Sequence, residues 1–147
     1  MKKICQIGIV VKDIEQQVKN WAQVLDSPMP DIQIIDEYEK SGATYKGKPT
    51  LARARQAIFY LGDISIELLE PVGGPSTWED FAKTNEQGIH HIAFVTENTD
   101  KELAFYRRKN MGVLQQGDFG TGRYTYMDTF EKLGAVVELL EFYPKTE

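Results

Sequence analysis

The stretch Gly88–Val95, with the sequence GIHHIAFV, decides the fold of this 147-residue chain. Its nearly continuous apolar character predicts a buried strand, from which we expect His91 to face a cavity. Residues 6–11 (QIGIVV) match residues 91–96 (HIAFVT) position for position, so that Gln6 corresponds to His91. An internal correspondence of this kind indicates a duplicated structural unit.

A second pair of matching stretches lies further along each half of the chain. Residues 66–70 (IELLE) correspond to residues 137–141 (VELLE), and the segment Glu-Leu-Leu-Glu is identical in both. Each unit is therefore expected to open with a strand that bears Gln6 or His91 and to close with a strand that bears Glu67 or Glu138. The other Glu of each motif, Glu70 or Glu141, is expected on the solvent side.

The local patterns predict the order β-α-β-β-β in each unit. In the first unit, strands are predicted over residues 4–11, 32–38, 53–61 and 64–70, with a helix capped by Asp13 and a long polar loop over 39–50. A connector leads to a short helix whose predicted N-cap is Thr77 and which ends at Gly88. In the second unit, a helix with the predicted N-cap Thr99 follows the first strand, and strands are predicted over 90–96, 113–119, 123–128 and 135–142.

These elements predict an α+β fold in which two tandem βαβββ modules form a cupped, eight-stranded mixed sheet around a metal-binding cavity. We expect one domain over residues 1–147, with module 1 at about 1–72, the connector helix at about 73–87 and module 2 at about 88–147. The linker between the modules is too short to separate two independent domains.

Composition narrows the classes of partner. The formal net charge of -5 argues against a nucleic-acid surface and favours a small-molecule or protein partner. No apolar run approaches the roughly 20 residues of a membrane span, and the N-terminus lacks the pattern of a signal peptide. The single cysteine, Cys5, excludes an intrachain disulfide, which fits the cytoplasm that we expect as the location.

The four matched polar residues form a plausible metal-ligand set. Pseudo-twofold symmetry would bring Gln6, Glu67, His91 and Glu138 toward one point. An amide oxygen, two carboxylates and an imidazole suit a divalent ion such as Zn, Ni, Co or Mn. Four ligands from a wide sheet leave coordination positions for a substrate, and the small residues Gly8 and Ala93 leave space beside them.

The motifs resemble those of a known superfamily. Residues 64–71 (ISIELLEP), the connector helix and residues 88–94 (GIHHIAF) are similar to the vicinal oxygen chelate superfamily, the fold of glyoxalase I, methylmalonyl-CoA epimerase, fosfomycin-resistance proteins and extradiol dioxygenases. The chain most resembles methylmalonyl-CoA epimerases and their glyoxalase-like relatives. The resemblance implies a homodimer and metal ligands at Gln6, Glu67, His91 and Glu138. Epimerases usually have His at the position of Gln6, whereas some glyoxalase I enzymes have Gln.

The resemblance also implies a reaction. It predicts a metal-dependent isomerase or lyase that acts through a metal-stabilised enolate on an acyl-CoA or a hemithioacetal-like substrate. Glu138 is the first choice for the residue that takes and returns the proton, and Glu67 is the second. Gln56 stands about where two-base epimerases carry a second base, so a one-base isomerase or lyase is favoured.

Other residues are expected to contact the substrate at the cavity mouth. Arg53, Arg55 and Arg123 are the cations predicted there, where an Arg would hold a carboxylate or phosphate. If Arg123 faces inward, Thr125 does so by alternation, and His90 is expected on the face opposite His91. With the opposite alternation these roles pass to Tyr124, Tyr126 and Asp128.

Two other functions fit the same fold. A metal-free protein that sequesters a small molecule would use the cavity without the four ligands. A ring-cleaving dioxygenase would use iron on two His and one carboxylate, whereas only His91 stands at a ligand position here.

Overall fold

A computed structural model describes residues 2–35 and 38–146, and all strands in these ranges belong to one mixed sheet. None of the helices in the same ranges is both long and apolar enough to cross a membrane. The strands are β1 (Ile4–Val10), β2 (Gln33–Ile34), β3 (Thr44–Tyr45), β4 (Lys48–Pro49), β5 (Arg53–Leu61), β6 (Ile64–Val72), β7 (Gly88–Val95), β8 (Val113–Asp118), β9 (Gly122–Met127) and β10 (Val136–Phe142). The helices are α1 (Ile14–Leu25), α2 (Tyr38–Ser41), α3 (Thr77–Asn85), α4 (Thr99–Arg108) and α5 (Phe130–Leu133).

The two strands with matching sequences, β1 and β7, form the centre of the sheet. Its strand order is β2-β5-β6-β1-β7-β10-β9-β8-β3-β4, so β1 and β7 lie side by side at its centre. These two strands are antiparallel, with Gly8 opposite His91, Gln6 opposite Ala93 and Ile7 opposite Ile92. The pairing is symmetric, because β6 runs parallel to β1 and β10 runs parallel to β7. The duplicated plan predicted from the sequence is therefore present in the sheet.

The described part of the chain contains ten strands, whereas eight were predicted. The difference comes from residues 39–50, which form the end of α2 and the hairpin β3–β4 and not the predicted loop. Thr44 and Tyr45 pair with Gln116 and Gln115 of β8, so a segment of module 1 extends the edge of module 2. Two-residue strands are too short to produce a visible alternation in the sequence.

The predicted strand over residues 32–38 is also shorter in the structure. Only Gln33 and Ile34 pair with β5, and Tyr38 begins α2. The two residues between them, Asp36 and Glu37, lie outside the described residues.

Three apolar clusters hold the helices to the sheet. One lies between α1 and the outer face of module 1, a second lies under α4 in module 2, and the third joins α3 to the inner face of the cup. In that third cluster Trp78 packs against Tyr124 and Tyr126, with ring centroids 6.1 Å apart in both pairs. The first cluster contains Val11, Ile14, Val18, Ala22, Ala57, Phe59 and Leu68, and the second contains Leu103, Tyr106, Met127, Val137 and Leu139.

The helix starts are close to those predicted. Asp13 caps α1 by accepting a hydrogen bond from the backbone N–H of Gln16, as expected. The caps of α3 and α4 are Ser76 and Asn98, one residue before the predicted Thr77 and Thr99.

Candidate active site

Three buried side chains converge on one imidazole nitrogen of a fourth. His91 Nε2 lies 3.1 Å from Glu138 Oε2, 3.4 Å from Glu67 Oε1 and 3.5 Å from Gln6 Oε1. Ser65 Oγ accepts a hydrogen bond of 3.2 Å from Gln6 Nε2, which turns the amide oxygen of Gln6 toward His91. The structure thus brings together all four residues that the sequence proposed as metal ligands.

Two irregularities in the central strand pair shape this arrangement. The register between β1 and β7 shifts at Cys5 and again at His90, so each of these residues is an extra one without a partner across the pair. Such a β-bulge bends a strand and redirects its side chains. In the duplication Cys5 corresponds to His90, so both copies carry the irregularity just before the residue that faces the site.

Gly8 provides the space that the ring of His91 occupies. A Cβ atom at Gly8 would lie 1.8 Å from Cε1 and 2.2 Å from Nε2 of His91, which is far inside any allowed contact. The imidazole therefore lies directly over the backbone of β1, as the small residue at this position allows.

His90 differs from its predicted place. It is fully buried beside the site and not on the face opposite His91, because the bulge interrupts the alternation of β7. Its Nδ1 lies 2.9 Å from His91 Nδ1, and its Nε2 lies 3.1 Å from Thr77 Oγ1. Burial, and then the charge of His91, hold the pKa of His90 well below its usual value, so His90 is neutral and accepts the Nδ1–H of His91. His90 therefore fixes the ring orientation of His91.

The charges of the site are strongly coupled. Burial alone would lower the pKa of His91, but the nearby carboxylates of Glu138 and Glu67 outweigh it and raise that pKa to about 10. Burial also raises the pKa of Glu138, against the opposing charge of His91. Gln56 donates a hydrogen bond to Glu67 Oε2, whereas the buried Oε2 of Glu138 has the ion pair of 3.1 Å with His91 Nε2 and no further hydrogen bond among the described residues. Glu138 thus lacks the second partner that Gln56 provides to Glu67.

The donor atoms of these residues have the chemistry that a divalent ion requires. Two ligands at about 2.1 Å from an ion, at angles of 90–109°, lie about 3.0–3.4 Å apart, close to the separations measured from Nε2. As the side chains stand, however, no three His, Cys, Asp or Glu residues in ranges 2–35 and 38–146 are arranged to hold an ion. Binding of an ion would therefore require these side chains to rotate.

A cavity of about 660 Å³ opens beside the four residues on the concave face of the sheet. Cys5 and Gln6 of β1 and the alternate residues Ser65, Glu67 and Leu69 of β6 line it. Module 2 contributes Tyr124, Tyr126, Glu138, Leu140 and Phe142, and α3 contributes Trp78. The volume is sufficient for a small organic substrate.

The alternation expected for β9 is the opposite of the one observed. Tyr124 and Tyr126 line the cavity, whereas Thr125 is buried on the other face. Arg123 also lies on that face, 3.1 Å from Glu141 and 3.3 Å from Asp100. Tyr124 and Tyr126 are therefore candidate site residues. The sequence placed them in the cavity only under the alternative alternation of β9.

Of the residues of β5 that were predicted to contact the substrate, only one lines the cavity. Gln56 lines the cavity, but Arg55 faces α1 and lies 2.9 Å from Glu15 and 3.5 Å from Glu70. Arg53 borders a separate cleft formed with Tyr38, Glu39 and Leu51. The structure therefore does not bring Arg53, Arg55, Arg123 or Thr125 to the cavity.

Glu70 and Glu141 were expected to face solvent but instead bind helix starts. Glu70 accepts a hydrogen bond of 2.8 Å from the backbone N–H of Ile14, and Glu141 accepts one of 2.8 Å from that of Thr99. The first N–H groups of a helix have no partner within the helix, and its N-terminus favours negative charge. In each Glu-Leu-Leu-Glu motif, one carboxylate thus lines the cavity and the other binds the N-terminus of a helix.

Known proteins share this fold and sequence pattern. Residues 5–126 match the family model described as the Glyoxalase/Bleomycin resistance protein/Dioxygenase superfamily. The chain is 24% identical over 145 residues to Uncharacterized protein YqjC of Bacillus subtilis (strain 168), covering 96% of this chain and 93% of that protein.

Two solved structures illustrate the shared fold. A hypothetical protein from Bacillus halodurans matches with a TM-score of 0.69 and 18% identity, over 99% of this chain and 98% of that one. Streptomyces coelicolor methylmalonyl-CoA epimerase, in complex with 2-nitronate-propionyl-CoA, matches with a TM-score of 0.68 and 22% identity, over 100% and 99%. These likenesses establish the fold of the chain.

Proposed function

We propose that this chain, which belongs to the glyoxalase/bleomycin resistance protein/dioxygenase superfamily, is an isomerase or lyase that moves a proton on a carbon next to a substrate carbonyl. The observation that carries the proposal is the state of Glu138. Its side chain is only 3% exposed, it borders the cavity, and the polar contact of its Oε2 is the ion pair with His91 Nε2. A buried carboxylate with so few partners is costly for the fold and calls for a ligand or a chemical role.

A divalent ion, for which we propose Zn, Ni, Co or Mn, would be held by Gln6, Glu67, His91 and Glu138. Such an ion would polarise the carbonyl of the substrate and stabilise the negative charge that develops on its oxygen. His90 keeps His91 oriented with Nε2 toward the site, as partners of metal-binding histidines commonly do.

The proton transfer itself is assigned to the chain's own side chains. Glu138 takes the proton from the carbon atom and returns it to the same or a neighbouring atom. Glu67 is the weaker candidate because Gln56 already donates to one of its oxygens. Tyr124 and Tyr126 accept hydrogen bonds from Gln115 and Trp78, which leaves their own hydroxyl hydrogens to donate to a substrate oxygen.

Candidate substrates come from the relatives. One similar solved structure is a methylmalonyl-CoA epimerase in complex with methylmalonyl-CoA and NH4+, so an acyl-CoA thioester is one candidate. The hemithioacetal of an α-ketoaldehyde, in which the carbon that bears the hydroxyl group adjoins a carbonyl, is the other.

Solvent exchange in heavy water tests the proposal. The metal-loaded protein is incubated with methylmalonyl-CoA, or with the hemithioacetal of methylglyoxal and a thiol, and deuterium at the carbon next to the carbonyl is followed by NMR. We expect incorporation or product formation with wild type, and a loss of at least about a hundredfold with Glu138→Gln. Glu141→Gln, the change at the other end of the same motif, is the control and should retain the rate. Equal rates in wild type and Glu138→Gln would refute the assignment.

A metal-free binding protein is the second candidate, and a specific contact favours it. As an imidazolium, His91 lies close enough to Glu67 and Glu138 to offset one of their two negative charges, so the site is partly neutralised by its own residues. Tight ligand binding by chelator-treated protein, without any effect of added ions, would support this function.

The dioxygenase hypothesis has less support. His90 is the only other histidine in the sequence, and both of its ring nitrogens already contact His91 and Thr77. Oxygen consumption by the iron-loaded protein would support the dioxygenase hypothesis.

A further inference from the structure

We propose that the cavity selects a substrate whose body, beyond the two oxygens that face the four-residue centre, is aromatic or aliphatic and uncharged or cationic, and that it discriminates against a further carboxylate or phosphate placed inside the cavity. This inference rests on the proposed function, because the two oxygens of the substrate are taken to face the four-residue centre. It names the chemical class of the remainder of the molecule.

The charged residues that line the cavity are all acidic. Within residues 2–35 and 38–146, the lining contains Asp63, Glu67 and Glu138 but no Lys or Arg. Glu67 and Glu138 are both buried, and the single charge of His91 can offset only one of them, so the acidic character is not confined to the rim of the cavity. The wall therefore offers an anionic group no ion-pair partner.

Arg55 and Arg123 form ion pairs outside the cavity. Arg55 and Arg123 lie on the outer face of the sheet, in ion pairs with Glu15 and Glu70 and with Asp100 and Glu141. The same arrangement occurs in both modules, with each Arg bound to a carboxylate that also caps a helix. Moving either guanidinium into the cavity would break these contacts, so neither is available to bind a substrate anion.

A bound ion does not reverse this balance. Two positive charges would offset the carboxylates of Glu67 and Glu138, and Asp63 at the mouth would then leave the cavity negative. Asp63 is exposed at the turn between β5 and β6, so its repulsion of a further negative charge acts through solvent and weakens as the salt concentration rises. An additional carboxylate on the substrate would therefore weaken its binding.

The remaining walls suit an uncharged body. Trp78, Tyr124 and Tyr126 form an aromatic floor, and Ile58, Leu69 and Leu140 add aliphatic surface. Tyr60 and Phe142 stand at the mouth with 79% and 56% of their surface exposed. Exposed aromatic side chains beside a cavity are typical of surfaces that contact a ligand, and their ring faces also attract cations.

A matched set of hydroxamic acids tests the inference. Benzohydroxamic, 4-carboxybenzohydroxamic and 4-(aminomethyl)benzohydroxamic acids share one chelating head and differ only in the charge at the far end of the ring. Their affinities for the protein, loaded with whichever of Zn, Ni, Co or Mn binds, are measured by calorimetry at low and high salt. Their affinities for the free ion provide the reference.

We expect the carboxylated compound to bind at least about fivefold more weakly than benzohydroxamic acid at low salt, with a smaller difference at high salt. Asp63→Asn should reduce the difference, whereas Glu97→Gln, a change at an exposed residue outside the cavity lining, should leave it intact. Acetohydroxamic acid, which lacks the ring, should bind more weakly than benzohydroxamic acid.

The possible results separate the two proposals. Equal or tighter binding of the carboxylated compound would overturn the inference about charge, and equal binding of acetohydroxamic acid would overturn the aromatic preference. Either result would leave the proposed function standing, since the ion and the chelating head would still have bound. Failure of every ion to bind would overturn the proposed function and this inference with it.

Discussion

Gly8 has no side chain, and this single feature allows His91 to reach the other three residues of the site. The matched position in the second copy is Ala93, so the small residue recurs where the two central strands face each other. The sequence revealed the four site residues because the duplication placed them at equivalent positions. It did not reveal that His90 lies beside them, since a bulge leaves no signature in a run of apolar residues.

Gly8→Ala should damage the site more than the fold. The added Cβ would lie 1.8 Å from His91 Cε1, so the ring must turn away from Glu67 and Glu138. We expect metal affinity to fall by at least about tenfold and stability to fall by about 1–3 kcal/mol. Calorimetric titration with the ion and thermal unfolding measure the two effects.

Gly112→Ala is the matched control, because a Cβ at that position meets no atom within 4 Å. It should leave the metal affinity unchanged. If Gly8→Ala binds the ion as tightly as this control does, the placement of His91 is incorrect.

At the scale of elements, strand boundaries were easier to predict than strand faces. The predicted bounds of β5 and β10 are within one residue of those observed, because these strands carry long apolar patterns. The sequence did not decide which face of β9 lines the cavity. One face carries Arg123 and Thr125 and the other carries Tyr124 and Tyr126, and either pair is able to bind a ligand. Only the pairing of Glu138 opposite Tyr126 and of Glu141 opposite Arg123 settles which set faces the cavity.

The Glu-Leu-Leu-Glu motifs lead to a prediction about pH and stability. Hydrogen bonding by Thr99, and then the hydrogen bond and charge of Arg123, lower the pKa of Glu141 in the folded protein. A lowered pKa contributes stability that is present above the unfolded value of about 4.3 and is lost as the pH falls through the folded value. Glu141→Gln should therefore cost about 1 kcal/mol at pH 7 and nothing once the pH is below the folded value.

Denaturant unfolding of wild type and Glu141→Gln between pH 2 and 8 measures this difference. Glu70→Gln is the matched variant in the first module, where Glu70 binds the start of α1 in the same way. A stability difference for Glu141→Gln that grows as the pH falls would contradict the assigned role.

For the whole molecule, the sheet explains why one site arises from two copies. β1 and β7 pair at the centre, and β6 and β10 flank them, so the matched residues of both modules face a common point. The hairpin β3–β4 crosses from the first module to the edge of the second, a long-range pairing that no local pattern in the sequence indicates. The assignment of residues 1–147 to one domain, the homodimer and the cytoplasmic location stay predictions.

The central claim is that Gln6, Glu67, His91 and Glu138 form a metal centre, and thermal unfolding of chelator-treated protein tests it most directly. The wild type is titrated with Zn, Ni, Co and Mn beside Glu138→Ala. A ligand that binds only the folded state stabilises it by about 2.7 kcal/mol at a hundredfold excess over its Kd. We predict a rise of this size with at least one ion in the wild type, and its loss in Glu138→Ala. No response to any ion, or an equal response in the variant, would contradict the account.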